Sequence, residues 1–140
     1  MKQQVIICKG LPGSGKTTFA RQWVNEAPDK RTRVNRDDIR RMLGPYWVPQ
    51  REDLVTQIER DTLRSSLLAG YDVIIDATNF KPEWIYMMLK NMIFTEKEII
   101  VKDFTDVPLE TCLERDKNRP KEEQVGETVI RKFHEKYIKK

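Results

Sequence analysis

Short apolar runs alternate with amphipathic segments along this chain. Three runs are rich in Val and Ile, which is typical of strands buried on both faces, and a fourth candidate is shorter and more polar. The predicted strands are residues 5–8, 32–35, 73–76 and 99–104. The predicted helices are residues 17–24, 37–43, 52–69, 82–89, 108–113 and 128–138. This alternation predicts an α/β fold in which helices cover both faces of a parallel sheet.

Two of the predicted helices carry an apolar stripe that we expect to face the sheet. In one helix the stripe is Leu54, Ile58, Leu63 and Leu67. In the last helix it is Val129, Ile130, Phe133 and Tyr137. Because ligands bind at the carboxyl ends of parallel strands, we expect the functional residues at the ends of the predicted strands and just after them.

Composition sets wide limits on the kind of protein. Residues 1–140 are predicted to form one domain, and the net charge of +4 permits a polyanionic partner without requiring one. Cys8 and Cys112 fit neither a metal-ligand spacing nor a disulfide framework. No apolar run is long enough to cross a bilayer, and the first residues lead directly into a strand. We therefore expect a cytoplasmic protein with no leader peptide and no membrane partner.

Residues 10–17 fit the phosphate-binding loop pattern G-x-x-x-x-G-K-[ST]. They lie between the first predicted strand and the first predicted helix, where the loop's N–H groups converge on phosphate oxygens. Lys16 would reach the β- and γ-phosphates, and the Thr17 hydroxyl would bind Mg²⁺. The alternative is a glycine-rich turn without a ligand. The predicted nucleotide-binding residues of the loop are Gly13, Ser14, Gly15, Lys16, Thr17 and Thr18.

Two acidic residues follow the second predicted strand. Phosphoryl transfer to an alcohol needs a carboxylate that orients the hydroxyl and accepts its proton, and Asp37 is the preferred candidate for this base. On spacing alone Asp38 would serve instead. The alternatives are that the two acids cap the helix and complement its dipole, or that one of them is the cap and the other the base. Arg40 lies one helical turn after Asp37 and would clamp a phosphate, unless it is a surface arginine. Tyr46 and Trp47 would stack a base or, as we prefer, pack their loop.

Asp76 ends the Val-Ile-Ile strand at 73–76. A carboxylate there is placed to hold Mg²⁺ through water or to orient Thr17. The alternative is a turn residue acting with Thr78 and Asn79.

The charged segment at about 114–125 is the candidate for a small helical lid. Arg115 and Arg119 are spaced i, i+4, and lid arginines neutralise a transferring phosphoryl group and exclude water. The alternative is a solvated helix face, because acidic residues balance the charge of this segment.

Together these stretches resemble the kinase domain of the phage polynucleotide 5′-kinase family, a group of small P-loop phosphotransferases. The resemblance covers nearly the whole chain and is carried by residues 10–18, 35–40, 76–79 and 106–119 with the terminal helix. The first stretch is shared by many NTPases, whereas the second, Asn-Arg-Asp-Asp-Ile-Arg, is much more specific to this group.

The resemblance implies that the chain transfers the γ-phosphoryl group of ATP, with Mg²⁺, to the 5′-OH of DNA or RNA ends, as in nucleic acid repair. It implies that Asp37 is the general base and that Arg40 binds the phosphate next to the reacting hydroxyl. It also implies that Arg119 contacts the donor phosphates.

This chain departs from the family pattern in two respects. The family's strand-end Asp falls one position later, where this chain has Ala77, and a shift of one residue turns a strand side chain to the other face. The role of Asp76 therefore rests on its own geometry. The phage enzyme also carries a phosphatase domain, and because this sequence stops at Lys140 we expect none here.

Two other functions stay open at this point. A kinase for a small acceptor, such as a nucleoside or a sugar, would use the same fold and base. A nucleotide-dependent switch would use the loop alone, with Asp37 only capping its helix.

Overall fold

The computed structural model describes residues 2–92 and 96–139. The strands are β1 (Gln3–Lys9), β2 (Arg31–Asn35), β3 (Asp72–Asp76) and β4 (Lys97–Asp103). The helices are α1 (Lys16–Asn25), α2 (Arg36–Leu43), α3 (Glu52–Leu68), α4 (Glu83–Lys90), α5 (Leu109–Lys117) and α6 (Glu127–Phe133). Short 3₁₀ turns lie at Pro49–Arg51 and Lys121–Glu123, and a π-helical turn at His134–Ile138 extends α6. The predicted α/β class is confirmed.

The four strands form one parallel sheet in the order β2-β3-β1-β4. Val5 of β1 is in register with Val73 of β3, and Asn35 of β2 is in register with Asp76 of β3. Since all strands run in the same direction, their carboxyl ends meet at one edge of the sheet. That edge carries the loop after β1, the start of α2 after β2, and Asp76.

Helices cover both faces of the central strands. On one face, α3 and α4 pack Leu63, Leu67, Ile85 and Leu89 against alternate residues of β1 and β3. On the other face, α1 packs Ala20 and Trp23 against Ile6 and Cys8 of β1 and Ile74 of β3. A third cluster joins the loop after β1 to α5 and α6 through Leu11, Cys112, Leu113 and Ile130. Both cysteines are buried, and burial raises the pKa of the Cys8 thiol to about 12.

The buried stripe of α3 differs from the predicted one. Leu54 is 49% exposed, and the buried positions are Val55, Glu59, Leu63 and Leu67. These residues are four positions apart, which keeps them on one face of the helix. A carboxylate is tolerated in the stripe because Arg36 Nη1 donates to Glu59 Oε1 at 2.8 Å. Burial raises the pKa of Glu59, and the hydrogen bond from Arg36 opposes that shift.

The terminal segment corrects the prediction at one position. Val129 is 41% exposed, whereas Ile130 is fully buried against the residues of α5. Phe133 and Tyr137 do pack inward, since both rings lie beside Phe80, and the Tyr137 ring stacks on it at 4.6 Å between centroids.

Coverage of the sheet stops at β4. Ile99 and Ile100 are each 37% exposed and Val101 is 48% exposed, on a strand whose sequence predicted burial on both faces. The strand lies at the end of the sheet order, so helices that span the central strands do not reach it. Among the residues described, no helix has both the length and the apolar character needed to span a bilayer.

We predict that Leu63→Ala lowers the free energy of unfolding by about 2–5 kcal/mol, because Leu63 is fully buried between α3 and the sheet. Leu68→Ala is the matched control on the same helix, since Leu68 is 59% exposed, and it should change stability by less than about 0.5 kcal/mol. Urea denaturation followed by circular dichroism measures both. Equal losses in the two variants would contradict the assigned helix face.

Candidate active site

The loop after β1 takes a shape that depends on glycine. Gly13 has φ of +83°, and a Cβ there would lie 2.5 Å from the Cys112 carbonyl oxygen. Gly15 has φ of +102° and is the N-cap of α1, so the helix begins at Lys16 with its N–H groups facing the loop. The loop therefore offers backbone donors at a helix N-terminus, the arrangement that binds phosphate.

Lys16 lies buried inside this loop. Its Nζ donates to the Leu11 carbonyl oxygen at 2.6 Å and to Ser14 Oγ at 3.4 Å. Burial lowers the pKa of Lys16 to about 8, and the nearby Asp76 carboxylate limits that shift. The ammonium is thus held against the loop whose amides face the same space.

Asp76 lies beside Thr17, at the end of β3. The Thr17 hydroxyl donates to Asp76 Oδ2 at 2.9 Å, and Arg33 Nε donates to the same oxygen at 2.9 Å. Asn35 Nδ2 donates to the Asp76 carbonyl oxygen at 2.7 Å. Asp76 is 1% exposed, so its charge is compensated almost entirely by these neighbours. The strand-end turn is ordered separately by Asn79, whose Nδ2 donates to the Cys8 carbonyl oxygen at 2.6 Å.

The start of α2 separates the two adjacent acids. Asn35, and neither acid, caps the helix, because its Oδ1 accepts from the Asp38 N–H at 2.8 Å. The alternative in which both acids serve as caps is therefore wrong. Asp37 Oδ1 accepts from Arg40 Nη1 at 2.7 Å and from the Tyr46 hydroxyl at 2.8 Å. Burial first, and then the Asp37 charge, raise the pKa of Tyr46 to about 12, which keeps this hydroxyl a donor.

Asp38 is engaged elsewhere. Arg33 Nη1 donates to Asp38 Oδ2 at 2.6 Å, and Arg41 Nη1 donates to Asp38 Oδ1 at 3.2 Å. Arg33 thus bridges Asp38 and Asp76, and it links α2 to the end of β3.

Arg40 is held by a partner that the sequence did not reveal. Its Nη2 and Nε donate to the two carboxylate oxygens of Glu52 at 2.6 and 3.0 Å. The hydrogen bond from Arg40 lowers the pKa of Glu52, against the effect of burial. The guanidinium carbon also lies 5.8 Å from the Tyr46 ring and 5.7 Å from the Trp47 ring. These contacts fix the plane of the guanidinium next to Asp37.

The charged segment contributes two arginines from different local structures. Arg115 belongs to α5, and its Nη1 donates to the Gly13 carbonyl oxygen at 3.2 Å. Arg119 lies after that helix, with Nη1 3.7 Å from Asp116 Oδ1. Asp116 is buried and accepts from the N–H groups of Val125 and Gly126, each at 2.9 Å, so it anchors the segment at both ends.

One cavity of about 850 Å³ brings the predicted residues together. It lies at the carboxyl edge of the sheet, between the loop, α2 and the charged segment. Its lining includes every predicted site residue, namely Gly13, Ser14, Gly15, Lys16, Thr17, Thr18, Asp37, Arg40, Asp76, Arg115 and Arg119. A smaller adjoining cavity of about 240 Å³ has Arg21, Arg33, Asp38 and Arg41 in its wall.

Three residues have contacts in the site that the sequence did not predict. Glu52 orients Arg40, Tyr46 orients Asp37, and Arg33 joins Asp76 to Asp38. Glu52 and Arg33 lie in segments whose pattern carries no motif. The only signal for Tyr46 was its place in the loop shortly after Asp37.

The residues described contain no cluster of three or more His, Cys, Asp or Glu side chains arranged to hold a metal ion. Thr17 and Asp76 nevertheless place a hydroxyl and a carboxylate oxygen 2.9 Å apart beside the phosphate loop. Oxygen donors of this kind suit Mg²⁺, which takes few protein ligands and completes its shell with water and substrate phosphates. The residues present therefore fit that ion.

The fold and the loop define a P-loop kinase domain. The family model described as AAA domain matches residues 5–139, and the chain belongs to that family.

Individual relatives agree with this class. The chain is 33% identical over 80% of its length to a Pseudomonas aeruginosa protein named as an adenylyl-sulfate kinase. It is 26% identical over 98% of its length to a protein of Autographa californica nuclear polyhedrosis virus named as a bifunctional polynucleotide kinase/RNA ligase. The solved structure titled as the Pnkp1/Rnl/Hen1 RNA repair complex matches 97% of the chain, with a TM-score of 0.68 and 28% identity. The chain is thus homologous to polynucleotide kinase domains.

This chain is shorter than each of these relatives. It spans 52% of the Pseudomonas protein, 21% of the viral protein and 46% of the matched chain in the repair complex.

We predict that the Lys16 ammonium titrates near pH 8, well below the ordinary lysine value of 10.5. Because the folded protein releases this proton before the unfolded chain does, the free energy of unfolding should rise with pH between these two values. Carbon-13 NMR of labelled lysine side chains measures the titration, and the loss of one signal in Lys16→Met assigns it. A Lys16 signal that titrates with the exposed lysines would contradict the buried geometry.

Proposed function

We propose that this chain transfers the γ-phosphoryl group of ATP to the 5′-OH of DNA or RNA. The observation that carries the proposal is that the phosphate loop and Asp37 line the same cavity. A triphosphate on the loop would present its terminal phosphorus toward the acid. A hydroxyl between them would meet both groups that the reaction needs.

On the donor side, the loop amides and Lys16 would bind the β- and γ-phosphates. Arg115 is already fixed to the loop through the Gly13 carbonyl oxygen, and Arg119 lines the same cavity. Both arginines would neutralise charge that builds up on the transferring group. Thr17 and Asp76 would hold Mg²⁺ directly or through water. When bound, the ion neutralises phosphate charge and keeps the donor oriented.

On the acceptor side, Asp37 would serve as the general base. Among the contacts of the described residues, both hydrogen bonds to this carboxylate fall on Oδ1. Oδ2 would therefore accept the hydroxyl proton. The deprotonating oxygen forms the new bond to the γ-phosphorus, the bond from that phosphorus to the β–γ bridging oxygen breaks, and ADP leaves with its electron pair.

Arg40 would bind the phosphate on the 3′ side of the acceptor nucleoside. Three of its N–H groups are engaged by Glu52 and Asp37, and a guanidinium has five. The remaining donors on Nη1 and Nη2 are those we assign to the acceptor phosphate. Two of the relatives bear polynucleotide kinase or RNA repair names, which supports an acceptor with phosphates rather than a bare alcohol. The chain would then act on nucleic acid ends in the cytoplasm.

A second candidate is a kinase for a small acceptor. The 33% identity to the protein named as an adenylyl-sulfate kinase favours it, because the same loop and base would serve. The two candidates differ in whether a 3′ phosphate on the acceptor improves the reaction.

We predict that Asp37→Asn lowers the rate of transfer from labelled ATP to a 5′-OH oligonucleotide by about 10²–10⁴-fold, because the amide cannot accept the proton. Asp38→Asn is the matched control and should keep activity, since Asp38 is paired with Arg33 and Arg41. If Asp38→Asn is inactive while Asp37→Asn is active, the base has been assigned to the wrong residue.

We predict that the wild type phosphorylates a nucleoside 3′-monophosphate with a lower KM than the matching nucleoside, by at least about tenfold. Arg40→Lys should reduce the difference in KM between the two acceptors. A lysine cannot make the bidentate contact to Glu52 that orients the Arg40 guanidinium in the wild type. Arg41→Lys is the control. Equal KM values for the two acceptors in the wild type would favour the small-acceptor kinase. Steady-state kinetics at several salt concentrations give the measurement, and the advantage of the phosphate should shrink as salt rises.

A further inference from the structure

The strand β4 is an open edge of the sheet. Within residues 2–92 and 96–139, its one strand neighbour is β1, and six of its seven residues are exposed. The exposed set includes Ile99, Ile100 and Val101 in succession. An edge strand with this much apolar surface is a template for pairing with another strand unless something protects it.

Two hydrogen bonds show which backbone groups face outward. The Glu96 carbonyl oxygen accepts from the Gln3 N–H at 3.0 Å, and the Phe104 N–H donates to the Lys9 carbonyl oxygen at 2.7 Å. Successive residues of a strand direct these groups to opposite sides, so even-numbered residues pair with β1. The N–H and C=O groups of the odd-numbered residues point away from the sheet. At the centre of the strand those residues are Ile99 and Val101.

The strand sequence Lys-Glu-Ile-Ile-Val-Lys-Asp is complementary to itself when reversed. In an antiparallel pair of two copies with the two-fold axis at Ile100, Glu98 of one copy lies opposite Lys102 of the other. Lys97 lies opposite Asp103, and Ile99 lies opposite Val101. Every cross-strand pair is then either apolar with apolar or opposite in charge, which is the favourable arrangement on both faces.

Neighbouring registers lack this match. In an antiparallel pair, the side chains of two directly opposite residues point to the same face of the sheet. The two-fold axis, which is perpendicular to the sheet, must therefore pass between one residue of the strand and the same residue of the other copy. An axis at Ile99 sets Glu98 opposite Ile100, and an axis at Val101 sets Ile100 opposite Lys102. Each of these places a charge against an apolar side chain. The register at Ile100 is therefore favoured by the side chains themselves.

We propose that this edge is a homodimer interface, in which the β4 strands of two copies pair antiparallel about Ile100 and make one continuous sheet. Lys102 lies 5.1 Å from the Phe19 ring centroid, and Glu98 accepts from Gln4 Nε2 at 3.3 Å, so both charges are already held next to the strand. The interface uses one short strand and is smaller than a standard interface, so the dimer should be weak and concentration-dependent.

The register is tested by cysteine cross-linking of the whole chain. In the proposed dimer, Ile100 faces its own copy in a pair without direct backbone hydrogen bonds, where Cα atoms lie about 4.5 Å apart and a disulfide can form. Ile100→Cys should oxidise to a covalent dimer at least about tenfold faster than Ile99→Cys or Val101→Cys. The native cysteines, Cys8 and Cys112, are buried and provide the background rate in the wild type. Equal rates for the three variants, or faster reaction at Ile99→Cys or Val101→Cys, would overturn the proposal.

Charge reversal supplies an independent test that leaves the strand's apolar residues unchanged. Glu98→Lys alone, or Lys102→Glu alone, sets like charges opposite each other twice, and should weaken the dimer by about tenfold or more. Mixing the two variants should restore a heterodimer, since the lysines of one chain then face the glutamates of the other. Lys132→Glu is the control, because Lys132 is exposed on α6. Sedimentation equilibrium from micromolar to millimolar concentration measures each mixture. A wild type that stays monomeric throughout, or variants that dimerise as well as the wild type when alone, would refute the pairing.

Discussion

Parallel pairing of β1, β2 and β3 is the constraint on which the site depends. The backbone N–H and C=O groups of buried strands must be hydrogen-bonded. In this sheet parallel pairing makes those bonds, so the three strands run in the same direction. The register places Asn35 beside Asp76, and the Asn35 amide reinforces it with a hydrogen bond to the Asp76 carbonyl oxygen. The phosphate loop, the start of α2 and the Asp76 carboxylate meet at one edge for this reason. The sheet is what brings these residues together, because they are distant from one another in the sequence.

The charges at this edge are arranged as ordered pairs. Arg33 is shared by Asp76 and Asp38, and Arg40 is shared by Asp37 and Glu52. A buried or half-buried carboxylate without such a partner would carry a large desolvation cost, and each of these four acids has an arginine partner. The same pairs fix the orientation of the side chains. Asp38 is paired with Arg33 and Arg41, and of the two adjacent acids it is Asp37 that lines the cavity of the phosphate loop.

A comparison of β3 with β4 shows that similar apolar sequences differ in burial according to their position in the sheet. Val73 and Ile74 of β3 are fully buried because β1 and β2 flank this strand and helices cover it. Ile99 and Ile100 of β4 are also β-branched aliphatic residues, but they are 37% exposed because their strand lies at the edge of the sheet. Charged residues at both ends of β4 limit nonspecific association, and their order permits one matched pairing.

Much of the fold and most of the candidate site followed from the sequence. The alternation of apolar runs and helical stripes predicted the elements, because side-chain period reflects local backbone geometry. The phosphate loop was readable because its glycines, lysine and threonine are adjacent in the chain. Asp37 and Asp76 were predicted because they lie at the ends of strands, where a parallel sheet places its ligands, and Arg40 was predicted because it lies one helical turn after Asp37. Each of these patterns lies within a short stretch of the sequence.

Tertiary structure decided the contacts between distant segments. Glu52 holds Arg40 from the next helix, and Arg33 reaches Asp76 across forty-three positions of the chain. The phase of α3, which exposes Leu54 and buries Glu59, depended on Arg36 being close enough to neutralise that acid. The exposure of β4 depended on its place at the edge of the sheet, which its own apolar residues do not encode. A local pattern specifies what a segment becomes, whereas its neighbours are set only when the whole chain packs.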